Sequence, residues 1–298
     1  MPLQGSPGHG ANHNPPETLP SPIDLGDGNY NIVNSDANAS ITLGNGNSTI
    51  LETAAGATIT VGNGNDRIFD SGGSATVSGG TGDMQIALAG TKNSVTVAGN
   101  AGGNHDLTVI GAGQGSSTVS GGAGNYVVAA GGGGNVIGIG AGNGAVEVGG
   151  AGNQVTTGSG SHLIVADGGP AKVTDDTINL GAGNNTVFLG GSGNTVTGGG
   201  GTDTLFFGPG GSDTFVASAS GGTETIFGFA PTSDVLDLSQ LVSSTSAVAL
   251  SSVTDSTHPQ WTDTVLTVTG ASAAAKITLL DTGTVTLAQL VTDKAIVV

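Results

Sequence analysis

The sequence predicts an all-β fold: a parallel β-roll or β-solenoid with 18-residue coils and a β-rich C-terminal cap. Three features predict it: a glycine that returns every 18 residues, two apolar ladders in step with it, and a change of composition after residue 216. From marks at positions 26, 44, 62, 80, 101, 122, 140, 158, 181 and 199, a glycine follows two residues on every time, from Gly28 to Gly201. Two insertions of three residues and one of five interrupt the spacing. Glycine is needed where φ is positive or where backbones pass closely, and a fixed period near 20 residues marks a solenoid.

Residues 1–22 carry six prolines, His9 and His13 and no periodicity, and read as a disordered arm with solvated histidines. Residues 23–216 are the solenoid. Three residues before the marks stand Ile23, Ile41, Ile59, Val77, Ala98, Val119, Ile137, Val155, Ile178 and Val196. Six after them stand Ile32, Ile50, Ile68, Ile86, Leu107, Val128, Val146, Ile164, Val187 and Leu205. Nineteen of the twenty are Val, Ile or Leu, so each coil supplies two short strands with one branched residue facing inward. Only stacking buries such a face; ten coils at about 4.8 Å would give a rod of roughly 50 Å. One edge has regular Gly-x-Gly-Asn turns. The other varies, as at Ser35-Asp36-Ala37, Gly131 to Gly134 and Gly168-Gly169-Pro170. In residues 217–298 glycine thins out. Strands are expected at Trp261–Thr269 and at Lys276–Leu280, with a helical turn at Thr286–Val291. This tract would cap the open end of the solenoid.

Composition narrows the partners. Five Lys and Arg against 22 Asp and Glu give a net charge of −17, which disfavours nucleic acid and anionic membranes and favours cations. There is no cysteine, hence no disulfide or thiolate site. No run of 18 apolar residues predicts membrane insertion, and the first residues show no Sec-type signal.

Gly198-Gly199-Gly200-Gly201-Thr202-Asp203-Thr204-Leu205-Phe206 fits G-G-x-G-x-D-x-U-x at every fixed position. Gly208-Pro209-Gly210-Gly211-Ser212-Asp213-Thr214-Phe215 and Val61-Gly62-Asn63-Gly64-Asn65-Asp66-Arg67-Ile68 each miss one glycine. These stretches resemble the calcium-binding nonapeptides of the repeats-in-toxin (RTX) proteins. Ser212 to Val216, Glu224 to Phe229 and Asp234 to Ser239, with the ending Asp293 to Val298, resemble a serralysin-like C-terminal domain. The resemblance implies export through type I secretion machinery of a Gram-negative bacterium, and folding outside the cell or at its surface.

In that family a sixth-position Asp and turn carbonyls from adjacent coils hold calcium. Here the sixth position reads Tyr30, Ser48, Asp66, Met84, His105, Tyr126, Gly144, His162, Asn185 and Asp203, so most of the edge is expected to bind none. Asp203 and Asp213, with Gly199 and Gly201, and Asp234 and Asp237 in the cap, are the candidate calcium residues, with Asp66 behind them. An Asx-type turn without metal is the alternative for each aspartate. Asp175-Asp176 reads as solvated. One residue before the sixth position, seven of ten coils carry Asn, which can bond backbone and stack along the ladder without metal.

No pair among His9, His13, His105, His162 and His258 has zinc-protease spacing, and Gly158-Ser-Gly-Ser is explained as a turn. Asp66 with Arg67 is the one lyase-like pair. The expectation is therefore a non-enzymatic, secreted repeat protein with calcium at few, mainly C-terminal sites. Its role would be structural, adhesive or self-assembling, with itself or a cell-surface polysaccharide as partner. A polysaccharide-binding or polysaccharide-modifying accessory is the alternative. An ice-binding solenoid is third, because Thr does not recur at one fixed offset from the marks.

Overall fold

The computed structural model describes residues 3–4, 17–99, 106–111, 115–167, 174–208, 211–254, 262–269, 275–280, 282–283 and 285–298. Readings placed on His9, His13, Gly103, His105, Gly168 to Pro170, Pro209-Gly210, His258 and Trp261 lie outside these residues. The chain forms two compact units, Met1–Gly149 and Gly150–Val298.

In unit 1 the strands are β1 (Leu3–Gln4), β2 (Glu17–Thr18), β3 (Ile23–Leu25), β4 (Asn31–Asn34), β5 (Ser40–Leu43), β6 (Thr49–Glu52), β7 (Thr58–Thr60) and β8 (Asp66–Asp70). They continue as β9 (Thr76–Gly79), β10 (Met84–Leu88), β11 (Ser94–Val97), β12 (Asp106–Gly111), β13 (Thr118–Gly121), β14 (Asn125–Ala130), β15 (Val136–Ile139) and β16 (Gly144–Gly149). Each odd strand pairs in parallel with the next odd strand. Each even strand pairs likewise with the next even one. This is a parallel β-solenoid with coils of about 18 residues. β1 and β2 fall within the stretch expected to be a disordered arm, and pair with β3 and β4.

The apolar ladders form its core, with one revision of register. Val95, not Ala98, stands between Val77 and Val119. Val109, not Leu107, stands between Ile86 and Val128. The insertion therefore lies between the two strands of that coil, and the rung that seemed to be Ala is a valine. Leu107 instead lines up with Met84 and Tyr126, so His105 does not hold the sixth position assigned to it. Large residues are offset by small ones opposite. A Cβ on Gly79 would strike the Met84 sulfur, and one on Gly121 would strike the Tyr126 ring. The Tyr126 hydroxyl donates to the Gly122 carbonyl.

In unit 2 the strands are β17 (Gln154–Thr157), β18 (His162–Asp167), β19 (Thr177–Asn179), β20 (Thr186–Leu189), β21 (Thr195–Thr197), β22 (Thr202–Phe206), β23 (Thr214–Val216), β24 (Gly222–Phe227) and β25 (Val235–Asp237). They pair by the same alternation, so the parallel coils run past residue 216. Then β26 (Val248–Thr254), β27 (Thr262–Val268) and β28 (Ala275–Leu280) form an antiparallel group, with β28 joined in parallel to β24. Helix α1 (Leu287–Thr292) starts on a Thr286/Gln289 capping box and buries Leu290. β29 (Ile296–Val297) closes on β25. This is the β-rich cap.

Glycine at the turns answers to crowding. Gly64 has φ +152°, and a Cβ there would overlap the Gly46 carbonyl one coil away. Gly138 lies on a strand with nothing within 4 Å of such an atom. Gly64→Ala is expected to destabilise the fold by about 2–4 kcal/mol, and Gly138→Ala by within about 0.5 kcal/mol. Urea midpoints of the two variants check this.

Candidate functional site

Alternation along β8 buries Asp66, Ile68 and Asp70 and exposes Arg67 and Phe69. The lyase-like pair is thereby split: Asp66 faces the core, while Arg67 faces out and its Nε donates to Gln85 at 3.1 Å. The same alternation puts the other motif carboxylates inside. Asp203 and Asp213 are both fully buried, on opposite edges of unit 2.

Three kinds of side-chain ladder hold the turns. The first is the exposed asparagine ladder. Asn29 Oδ1 accepts from the backbone of Asn47 at 2.7 Å, Asn47 from Asn65 at 2.8 Å, and Asn65 from Asp83 at 3.1 Å. A parallel row runs from Asp27 through Asn45 and Asn63 to Thr81. Unit 2 repeats the pattern between Asn184 and Thr202.

The second ladder is buried and runs in the opposite sense, each side chain accepting from the preceding coil. Asp66 accepts from the Ser48 backbone at 2.8 Å. In unit 2, Asn185 accepts from His162, and Asp203 accepts from both the backbone and the amide of Asn185 at 2.9 and 2.8 Å. On the other edge Asn153, Asp176, Asn194, Asp213 and Asp234 form one chain of such bonds. Asp176, expected to be solvated, is 1% exposed within it. The third kind caps local turns. Glu52 accepts from Thr53 and Ala54, and Asp70 from Gly72 and Gly73.

Apart from Glu224, these acids use one oxygen and strand the other. Among the described residues, one buried oxygen each of Glu52, Asp66, Asp70, Asp176, Asp203, Asp213 and Glu224 has no hydrogen-bond partner, and neither ring nitrogen of buried His162 has one. Burial is the leading cause of the resulting shifts. It pushes Asp66 and Asp213 up to about 6 and holds His162 below the usual imidazole range. Glu224, in register with Asp203, goes up to about 8 through burial and then the neighbouring Asp203 charge. Asp203 is also raised, by burial first.

Glu224 is the residue that sequence reasoning missed, because it lies outside any nonapeptide; its signal was its place one coil after Asp203. A Cβ built on Gly222 would lie 2.5 Å from Glu224 Oε1, 3.3 Å from the Gly199 carbonyl and 3.4 Å from the Gly201 carbonyl. Asp203, Glu224, Gly199 and Gly201 thus bring hard oxygens toward one place. They fit calcium in kind, while the six to eight ligands it takes would need further oxygens such as water. The other candidates are not brought there. Asp234 has both oxygens occupied by the Asp213 and Ala230 backbones, and Asp237 accepts from the Ser239 backbone. Among the described residues no three His, Cys, Asp or Glu side chains are grouped to hold a metal.

No protein-family model matches the chain, and no curated protein or solved structure shows significant similarity to it.

The outer faces are also ordered. In unit 1 the observed register lines up Ser40, Thr58, Thr76, Ser94 and Thr118 in one row. Thr42, Thr60, Ser78, Thr96 and Ser120 form the row beside it. With the insertion correctly placed and Ser counted beside Thr, the hydroxyl does recur at fixed offsets. In unit 2, Phe188, Phe206 and Phe227 stack with ring centres 4.5 and 4.6 Å apart. Thr186, Thr204, Thr225 and Thr278 flank them.

A raised carboxyl pKa in the fold means that the folded state binds more protons than the unfolded one. The stability these acids contribute is complete below their unfolded values and is lost as pH rises through the folded ones. In EGTA the melting temperature is expected to fall from about pH 4 to about pH 8, against the usual trend. Glu224→Gln should flatten the upper part of that fall. Because the exposed asparagine ladder uses no metal, the far-ultraviolet β signal at pH 6 is expected to survive EGTA; its collapse would overturn the metal-free role of that ladder.

Proposed function

We propose that this chain is a secreted, non-enzymatic β-solenoid of the RTX kind with a structural, adhesive or self-assembling role outside the cell. The observation that carries the proposal is the make-up of the outer faces. Long rows of uncharged side chains stand in register on a chain of net charge −17. Copies of so acidic a chain repel one another wherever their charges meet, so uncharged rows are where it can touch itself or another surface. The phenylalanine stack, with Phe188 40% exposed, adds an apolar stripe to one of them.

Calcium belongs to this reading at few sites. Asp203, Glu224 and the carbonyls of Gly199 and Gly201 would hold it in unit 2, where it would supply positive charge to two carboxylates that otherwise need a proton. The RTX-like ending supports export by type I machinery in a Gram-negative bacterium.

Light scattering and electron microscopy at high protein concentration, with and without calcium, test the reading. Oligomers or ordered arrays that weaken in Phe206→Lys are expected. A protein that stays monomeric with calcium overturns the self-assembling role.

A further inference from the structure

We propose that the hydroxyl face of unit 1, carried by β5, β7, β9, β11 and β13, binds the surface of ice. Ten consecutive outward positions on five strands are Thr or Ser, six of them Thr. Neighbours stand about 4.8 Å apart from coil to coil and about 6.7 Å apart along each strand. Among the described residues none of these hydroxyls has a hydrogen-bond partner, so each keeps one donor and two acceptor positions for water. The array ends sharply: Asp24 precedes Thr42 in its row, and Val136 and Gly138 follow Thr118 and Ser120.

The chemistry selects the occupant. A protein partner needs buried anchors such as Trp, Tyr or Arg, and the two rows hold none. A sugar ring stacks on an aromatic face or is gripped by amides and carboxylates, and these rows contain neither. What remains is an uncharged grid of donors and acceptors, six of the ten positions also carrying a methyl group. A crystalline array of water offers a matching grid of donors and acceptors. The grid is stiff for a reason in the sequence. β-branched Thr has a restricted χ1, and each row is backed by fully buried rungs such as Ile41, Ile59 and Val77. Little freedom is therefore lost when the face meets an ordered surface.

This inference stands apart from the self-assembling role. A monomer that shapes ice keeps it and loses that role; oligomers without effect on ice do the reverse. The test is nanolitre osmometry and incorporation into a growing ice hemisphere, with the full-length chain. The wild type is expected to shape crystals and enter the ice. Thr60→Lys and Thr76→Lys should lose both effects with an unchanged β signal, and Thr186→Lys in unit 2 should keep them. Should Lys disturb folding, Thr60→Tyr retains β propensity while interrupting the hydroxyl rows, and should lose them too. A wild type without effect on ice overturns the inference. So do Lys or Tyr variants that retain the activity, and so does retention on crystalline cellulose or chitin in place of ice.

Discussion

The structure of each unit depends on one constraint: the turns of successive coils must pass one another at the spacing of parallel strands, about 4.8 Å. Strands meet this with their own ladders of hydrogen bonds. Turns meet it only in part: Gly28 and Gly46 donate N–H to the Asn45 and Asn63 carbonyls one coil on, while other turn N–H groups reach no backbone carbonyl and need a side chain. An unpaired buried N–H costs about 1–3 kcal/mol, and every coil has two turns. Side chains short enough to stay at the corner supply the acceptors. Hence Asn47 and Asn65 reach one coil along the outside, while Asn194 and Asp213 reach one coil back on the inside. Glycine fills the places where two corners leave no room for a Cβ.

The buried ladder explains why acids sit inside a solenoid at all. A carboxylate accepts the neighbouring N–H as well as an amide does, but leaves a second oxygen that only a donor can satisfy. Where Asn precedes the acid, as in Asn185–Asp203 and Asn194–Asp213, the amide adds a second bond to the oxygen already in use. Where acid follows acid there is no such amide. At Asp203 and Glu224 a proton or a cation must take its place, and Glu224 is accordingly raised further than Asp66 or Asp213. The formal charge of −17 therefore overstates what the folded chain carries near neutral pH.

The inward half of the pattern was legible in the sequence because it obeys period: one glycine and two branched residues per 18 positions are enough to fix coil length and strand sites. Part of what was not legible followed from one misplaced insertion. Assigning it before the first strand of its coil gave Ala98 for Val95 and His105 for Leu107, and broke the hydroxyl rows at that coil. The side on which a turn-proximal Asp lies also depends on whether the strand has already begun there. At Asp66 and Asp203 it has, so both point inward rather than to an open edge. Glu224 lay beyond the repeat as the sequence delimits it, and only pairing of β22 with β24 set it beside Asp203.

The same physics separates what the fold fixes from what it leaves open. Mid-strand inward positions are set by the width of the core and stay aliphatic from coil to coil, while the inward position at the strand start runs from Asp66 to Met84, Leu107 and Tyr126. Outward positions on the same strands meet only solvent and the residue one coil away, and that neighbour rewards repetition without dictating its kind. Unit 1 repeats hydroxyls on its odd strands, and unit 2 repeats phenylalanine on its even ones. Selection acting on such a chain is therefore recorded on its outer rows, and a run of ten hydroxyl positions there is not a requirement of folding.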